Sequence, residues 1–289
     1  MRRLTVRIRR RASALLPGVI RRLIVRRWKS YRQVRFLVAN AHGLEIGGPT
    51  ALFRTDGLFP VYRDAASIDN VNFSPQTLWE GRVDSGHTFK YHPRKPAGRQ
   101  YVAEAAALDE IATGAYDFVV SSHTLEHTAN VLRTLREWLR VIHDEGSLIL
   151  LLPHKDGTFD HRRPVTTLDH MIEDERNNIG EDDLTHLAEI LALHDLALDP
   201  PAGTPEQFQA RSQRNVENRA LHHHVFDTAT AVRVLDYLGL QVMAADAEPA
   251  HHVIVAARKV PLGAPADNSR FLGPDAAFRS SSPFAGDRR

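Results

Sequence analysis

Three features at the ends of short apolar stretches have residue types that could hold a nucleotide-like cofactor. The first is the turn Glu45-Ile46-Gly47-Gly48-Pro49, where glycine lets a ligand approach the backbone closely. The second is Asp69, 24 residues after Glu45, because a carboxylate at that spacing can accept hydrogen bonds from both hydroxyls of a ribose. The third is Glu104-Ala105, an acceptor oxygen for an adenine amino group beside an apolar residue.

Histidine is the second residue type that could do chemistry, because its pKa lies near neutrality. The candidate general bases are His123, His127, His154 and the run His222-His223-His224. His127 is equally suited to cap a following helix, whereas His154 follows an apolar strand at its carboxyl end. A base is required only if the molecule that reacts is a hydroxyl or a protonated amine.

The many histidines also raise the question of a metal site. Residues 154–222 contain Asp160, His161, His170, His186 and His194 besides the histidine run. No pair has a tight ligand spacing on one predicted helix, and the motif His-Glu-x-x-His is absent. We therefore expect no metal ligands, and the histidines should bind within the protein or contact a polar molecule.

Alternating short strands and helices must position these residues. The pattern predicts strands at 43–46, 67–69, 100–104, 116–121 and 147–152, with a helix at 131–142. A helix at 228–238 and strands at 241–245 and 252–257 follow later. The last two strands are too close in sequence for a parallel crossover, so they should pair antiparallel. The sequence predicts an α/β fold with a mostly parallel sheet.

Two segments interrupt or follow this alternation. Residues 154–222 are polar and predict three helices, near 167–174, 182–194 and 205–219, as an insertion after the fifth strand. The run 156–164, which includes His161, Arg162 and Arg163, is dense in groups that bind sugars, phosphates or carboxylates and favours a hydrophilic acceptor. Residues 261–289 are rich in Pro, Gly, Ser and Ala, and we expect a disordered tail.

The amino-terminal residues differ sharply in charge from the rest. Residues 1–35 hold 13 Lys or Arg and no acid, whereas the remaining 254 residues hold 24 bases and 35 acids. Residues 12–38 predict a basic amphipathic helix, within an arm over 1–38. It could bind an anionic membrane surface, pack on its own domain or be a targeting segment. We expect it to be an accessory, so that a chain beginning near Val34 keeps its cofactor site.

Composition limits the classes of protein to which the chain can belong. The chain has 289 residues, of which 43% are hydrophobic, enough for one large domain with an insertion. It contains no cysteine, which excludes disulfides and thiolate chemistry and fits a cytoplasmic location, with peripheral membrane contact left open. No apolar run is long enough to span a membrane. Because the basic residues are concentrated in the arm, the pI does not indicate a nucleic-acid partner.

Several of these segments resemble the class I S-adenosylmethionine (SAM)-dependent methyltransferases, especially the large bacterial type-11-like group. Leu44-Glu45-Ile46-Gly47 resembles the first motif of that family, and residues 116–127 (Tyr-Asp-Phe-Val-Val-Ser-Ser-His-Thr-Leu-Glu-His) resemble its fourth-strand motif. Residues 135–141 and 145–148 resemble the next helix and strand. The resemblance covers 43–153 and, more weakly, 226–258. It implies a Rossmann-like methyltransferase sheet over 39–260, with a C-terminal antiparallel strand pair and the helical insertion 154–222 as a lid.

The resemblance also implies roles for individual residues. Glu45, Gly47 and Gly48 would line the methionine end of SAM, and Asp69 would hold its ribose. Glu104 and Ala105 would contact the adenine, and Ser122 and His123 would border the sulfonium and the acceptor. Two positions depart from the family pattern: Pro49 stands where a second glycine is usual, and Glu104 stands where Asp is common.

The function predicted from the sequence is SAM-dependent methyl transfer to a polar acceptor, a glycan or small metabolite, on oxygen or nitrogen. Two other classes remain as alternatives. A non-catalytic scaffold of this fold, recruited to a membrane, is favoured by Pro49. A nicotinamide-dependent oxidoreductase would need a third glycine in the first turn, whereas residues 47–52 contain only Gly47 and Gly48.

Overall fold

The computed structural model describes residues 27–261 and 263–288, and one eight-stranded sheet forms its centre. The strands of the chain are β1 His42–Ile46, β2 Ser67–Asn72, β3 Gln76–Thr77, β4 Gly81–Arg82, β5 Gly86–Phe89, β6 Gly98–Val102, β7 Tyr116–Ser122, β8 Ile142–Pro153, β9 Gln241–Glu248 and β10 His252–Arg258. The order in the main sheet is β5-β6-β2-β1-β7-β8-β10-β9, and β3 and β4 form a separate hairpin.

Strand directions confirm the predicted fold class. The strands β6, β2, β1, β7 and β8 run parallel, whereas β10 is antiparallel to both β8 and β9. The edge strand β5 is antiparallel to β6 and was not predicted. The result is a Rossmann-like α/β sheet that ends in an antiparallel pair. The parallel strands β6, β2, β1, β7 and β8 all end at the same edge of the sheet, and this is the edge at which ligands bind in such sheets.

Helices cover the sheet and form the insertion. They are α1 Lys29–Val34, α2 Val61–Asp64, α3 Val131–Val141, α4 Leu168–Arg176, α5 Leu187–Leu193, α6 Pro205–Gln213, α7 Asn215–Asn218, α8 Thr228–Tyr237, α9 Ser269–Leu272 and α10 Ala277–Ser281. The helices predicted at 131–142 and 228–238, and those of the insertion, are present with slightly different ends. Within the described residues, none of the helices is both long and apolar enough to span a membrane.

The central strands are buried on both faces. Along β7, Val119 belongs to one apolar cluster, and Phe118 and Val120 belong to the cluster on the opposite face. This alternation follows from the pleat, because successive side chains point to opposite faces. On the first face, α3 packs its buried stripe, which includes Leu135 and Trp138, against the sheet. Because both faces are covered, the sequence of a central parallel strand is a nearly continuous apolar run.

The segment before β1 belongs to the domain. The predicted helix at 12–38 lies outside the described residues as far as 26, and its described part is the short helix α1. Tyr31 and Val34 are fully buried, and Trp28 is 7% exposed. The Tyr31 hydroxyl donates to the Pro60 carbonyl at 3.1 Å. The boundary at residue 38 was therefore wrong, and a chain that begins near Val34 would lose core side chains.

The expectation of a disordered tail is also wrong for residues 263–288. This segment forms α9 and α10 and buries Phe278 and Phe284 against the domain. Asp287 is 1% exposed and accepts hydrogen bonds from Thr228 N and Oγ1, at 3.2 and 2.8 Å, and from Ser282 Oγ at 2.7 Å. A few apolar side chains and one buried carboxylate thus order a segment whose average composition suggests disorder.

Replacing Asp287 by Ala should lower the free energy of unfolding by about 2 kcal/mol, because it leaves buried donors unpaired. Burial alone would raise the pKa of Asp287, but the nearby His154 imidazole and Ser282 hydroxyl hold it below its usual value. The folded-state pKa is thus lower than the unfolded one, so the contribution is complete above the unfolded pKa and disappears as the pH falls. Urea unfolding at pH 7 and pH 3 measures both effects. The exposed Asp275 is the control, and equal losses for the two alanine variants would contradict the assignment.

Candidate active site

The carboxyl ends of the parallel strands open into one cleft of about 1250 Å³. Loops after β1, β2, β6, β7 and β8 line it, together with the hairpin β3–β4, the turn before β10 and parts of the insertion. The turn after β1 contributes Gly47, whose φ of +85° favours glycine. A Cβ on Gly47 would lie 2.3 Å from Thr124 Oγ1 in the loop after β7, so glycine also lets the two loops pack together.

Glu45 and Gly48 shape this turn from behind, in contrast to the sequence interpretation. Glu45 is fully buried, and its oxygens accept hydrogen bonds from Thr50 N at 3.0 Å and from the Tyr62 hydroxyl at 2.6 Å. Burial raises the pKa of Glu45 to about 7, although these two donors oppose the shift. A Cβ on Gly48 would lie 2.2 Å from Glu45 Cδ. Both residues therefore brace the turn instead of lining the cleft.

The second strand continues beyond its predicted end, and this moves Asp69 away from the cleft. Asp69 lies in the middle of β2, where its oxygens accept from Arg99 N at 2.7 Å and from the Tyr116 hydroxyl at 2.8 Å. The residue at the strand end, on the cleft, is Asn72. Its amide oxygen accepts from Asn70 Nδ2 at 2.6 Å. The assignment of Asp69 to a ribose is therefore wrong, because the strand ends three residues later.

The loop after β6, which the sequence predicts to contact an adenine, lies at the cleft. Ala103, Glu104 and Ala105 line the cleft. The Glu104 carboxylate pairs with the guanidinium of Arg219, which comes from the insertion. That guanidinium also lies 5.5 Å from the centre of the Phe73 ring, at the end of β2. Arg219 thus joins the insertion to two strand ends at this side of the cleft.

The loop after β7 brings Ser122, His123 and His127 to the opposite side of the cleft, as the motif predicts. His123 has a φ of +55°, and its Nε2 lies 2.9 Å from Nδ1 of His252. Burial, together with neighbouring imidazoles, holds the pKa values of His123 and His127 well below their usual range.

His154 does not reach the cleft, although it follows β8. Its side chain is fully buried, and its ring stacks on Phe284 with centroids 4.0 Å apart. Its Nε2 lies 3.2 Å from Asp287, and its Nδ1 accepts from Asp156 N at 3.1 Å. The predicted catalytic role is corrected to a structural one, because the tail covers this side chain.

The cleft also contains His222, one of the candidate bases, and three residues to which the sequence assigned no role: Glu126, His251 and His252. Glu126 is fully buried, and burial raises its pKa to about 7. Burial opposes protonation of His222, but the adjacent Asp160 carboxylate raises the pKa above its usual value. His251 and His252 reach the cleft because β10 returns beside β8, a pairing that the local sequence does not reveal.

The polar run 156–164 divides between the cleft and the interior of the insertion. Gly157, Thr158 and Phe159 line the cleft. Arg163 is 1% exposed and donates to Glu189, to Asp160 and to two backbone carbonyls of the histidine run. The expected contact of Arg163 with an acceptor is therefore replaced by a role in holding the insertion together.

Residues 63–150 match the family model described as a methyltransferase domain. No curated protein matches the chain. The chain is similar to the solved structure of an S-adenosylmethionine-dependent methyltransferase from Mesorhizobium loti, with 13% identity, coverage of 80% of this chain and 97% of that one, and a TM-score of 0.47.

Two further solved structures are similar to the chain. The first is a SAM-dependent methyltransferase from Aquifex aeolicus, with 11% identity, coverage of 85% of this chain and 100% of that one, and a TM-score of 0.41. The second is the 1,6-didemethyltoxoflavin-N1-methyltransferase of Burkholderia thailandensis with bound S-adenosylhomocysteine, with 11% identity, coverage of 81% and 79%, and a TM-score of 0.44. The segment matched by the family model, residues 63–150, extends from α2 into β8 of the sheet.

Proposed function

We propose that the chain transfers a methyl group from SAM to a polar acceptor that binds between the loop after β7 and the insertion. The observation that carries the proposal is the cleft at the carboxyl ends of the strands, which brings Gly47, Glu104 and Ala105 together with a cluster of imidazoles. Bound SAM would supply a methyl group on an already activated sulfonium. The protein's task is then to align the two molecules and exclude water.

The residues that line the cleft fit SAM, although Glu45, Gly48 and Asp69 of the expected set lie outside it. Gly47 keeps the turn after β1 open, and Ala103 and Ala105 offer an apolar surface beside Glu104. The cleft exceeds the roughly 300–1,000 Å³ of ordinary ligand sites, which leaves room for an acceptor beside the cofactor. At the end of β2 the amide of Asn72 stands in place of a carboxylate.

The acceptor side favours a polar molecule. Ser122, His123, His127 and His222 present hydroxyl and imidazole groups to the cleft, opposite the apolar surface. If the acceptor is a hydroxyl or a protonated amine, its proton must leave, and an imidazole at this position can receive it. Methylation on oxygen or nitrogen of a glycan or small metabolite agrees with this lining.

The transfer can be tested with SAM labelled in the methyl group and a cell extract separated into polar small molecules, glycans, lipids and nucleic acids. We expect enzyme-dependent label in the polar small-molecule or glycan fraction. Label found only in lipids or nucleic acids would contradict the acceptor class. Bound SAM without label in any fraction would favour the non-catalytic scaffold.

Arg219 should be needed for tight cofactor binding. Its guanidinium joins the insertion to Glu104 and lies over Phe73. Arg219→Ala removes a charge-assisted contact worth about 1.5–3 kcal/mol, so SAM affinity should fall roughly tenfold to a hundredfold. Calorimetry measures this change. Arg214→Ala is the matched control, since Arg214 pairs with Glu217 in solvent, and equal affinities for both variants would disprove the role.

Residues 1–26 are proposed to contact an anionic membrane surface. They contain nine Arg and no acid. A basic residue close to such a surface gains about 1 kcal/mol, and salt screens this gain. The full chain should sediment with anionic vesicles at low salt, whereas a chain that begins at Arg27 should not. The cut preserves Trp28 and Tyr31, and a full chain that stays in solution would remove the proposal.

A further inference from the structure

We propose that Glu126, His127 and His222 bind a divalent transition-metal ion at the floor of the cleft. One ligand atom of each residue lies within 4.8 Å of the others, a spacing that a small shift would close around an ion. Glu126 and His127 come from the loop after β7, whereas His222 comes from the end of the insertion. Because the fold brings these segments together, the spacing in the sequence gave no sign of the site.

The hydrogen bonds of both histidines leave one ring nitrogen for a ligand. His127 Nδ1 lies 3.0 Å from the Leu221 carbonyl oxygen, which can only accept, so Nδ1 carries the proton. His222 Nδ1 lies 2.6 Å from Asp160 Oδ2, and Asp160 Oδ1 accepts a hydrogen bond from Arg163, so this carboxylate is an acceptor on both sides. In each ring Nδ1 is therefore engaged, and Nε2 is the nitrogen that binds an ion once it has lost its proton. Histidines that bind metals have this arrangement almost always, with the other nitrogen donating to a carboxylate or a carbonyl.

Glu126 supplies the independent sign of a ligand. It is fully buried, and neither carboxylate oxygen has a hydrogen-bond partner within the described residues. Its Oε1 lies 3.8 Å from His123 Nδ1 and 3.9 Å from His127 Nε2, both beyond hydrogen-bond distance. A buried carboxyl without partners is costly and rare in folded proteins. A cation between Glu126 and the two imidazoles removes that cost.

The two other clusters of this kind among the described residues are less suited. In the cluster of His170, Asp174 and His224, the Nε2 of His170 already has a partner, the Nε2 of His186 at 3.0 Å. The cluster of His123, His251 and His252 contains no carboxylate. Of these three clusters, the first is the one in which both oxygens of the carboxylate are buried without a hydrogen-bond partner.

Two imidazoles and one carboxylate form the ligand set of many Zn²⁺ and non-haem Fe²⁺ sites, which keep positions open for other ligands. The open positions would face the cleft, where the Trp79 ring lies 5.3 Å from His127 and the Phe159 ring lies 4.7 Å from His222. Such a site would take an oxygen-donor ligand, such as a hydroxyl or carboxylate. Metal binding goes beyond methyl transfer and does not depend on it.

The test is calorimetric titration of the full chain with Zn²⁺ and Co²⁺ after removal of metal by a chelator. We expect one equivalent of each ion to bind with a Kd of about 1 μM or lower, with Co²⁺ giving the visible absorption of a bound ion. Glu126→Gln and His222→Gln should each weaken binding by at least about a hundredfold, since each removes a ligand. Bound Zn²⁺ should raise the Tm of the wild type, and should not raise that of these variants.

His170→Gln is the matched control, because it alters a different histidine cluster and should retain binding. Wild-type protein with a Kd above about 100 μM for both ions overturns the proposal, as does tight binding by both variants or its loss in His170→Gln. Circular dichroism of each variant shows whether it is folded, and His127→Gln replaces one that is not. SAM affinity of the wild type is measured in parallel, so that failure to bind SAM would count only against methyl transfer.

Discussion

Arg163→Ala should destabilise the insertion more than any other single change in the polar run 156–164. The guanidinium is 1% exposed, with Glu189 Oε1 at 2.8 Å, Asp160 Oδ1 at 3.1 Å and the His222 carbonyl at 2.8 Å. Removing one partner of a buried ion pair costs about 3–5 kcal/mol, because the remaining charge is left uncompensated. We expect a loss of that size in the free energy of unfolding, measured by urea denaturation.

The adjacent Arg162 provides the control for this prediction. Arg162 is half exposed, and it pairs with Asp195 near the surface. Exposed pairs contribute about 0–1 kcal/mol, so Arg162→Ala should change stability little. Hydrogen exchange of α5 and of the segment around His222 should increase in Arg163→Ala alone. Equal stability of the two variants would show that Arg163 does not hold the insertion together.

Gly47→Ala should abolish SAM binding at concentrations that saturate the wild type. The new Cβ would lie 2.3 Å from Thr124 Oγ1, and the φ of +85° is strained for alanine. The backbone strain costs roughly 1–2 kcal/mol, and overpacking adds about 1–3 kcal/mol. The loops after β1 and β7 must then separate. We expect SAM affinity to fall at least about a hundredfold in calorimetry.

Gly239→Ala measures the effect of backbone strain alone, without a steric contact of the new Cβ. Gly239 has a similar φ of +74°, but nothing lies within 4 Å of its added Cβ, and it lies outside the cleft in the turn between α8 and β9. This variant should lose about 1 kcal/mol of stability and bind SAM normally. If Gly47→Ala also bound SAM normally, the contact of the two loops would not form the cofactor site.

The sequence predicts the sheet well because hydrophobic periodicity reflects burial. The continuous apolar run of β7 and the stripe of α3 each mark a face that must be covered, and both elements appear where expected. The end of β2 was missed because Asn70 and Asn72 are polar and do not look like strand residues. Their side chains are instead satisfied by a buried amide network with Gln100, which only the fold assembles.

The candidate site shows the same limit. Gly47, Glu104 and His123 line the cleft, since each follows a strand and strand ends meet at one edge of the sheet, and their roles toward SAM remain predictions. The role of His154 was wrong, because its neighbour Asp287 lies 133 residues away in the sequence. Local pattern contains no information on such pairings. The same holds for the approach of His222 to Glu126.

The most direct test of the central claim is calorimetric titration of the full chain with SAM and, separately, with NADH. We expect one equivalent of SAM to bind with a Kd between about 1 μM and 1 mM, the range of ordinary enzyme sites, and no heat from NADH. Absence of SAM binding at 1 mM, or binding of NADH in its place, would contradict the assignment of this cleft to SAM.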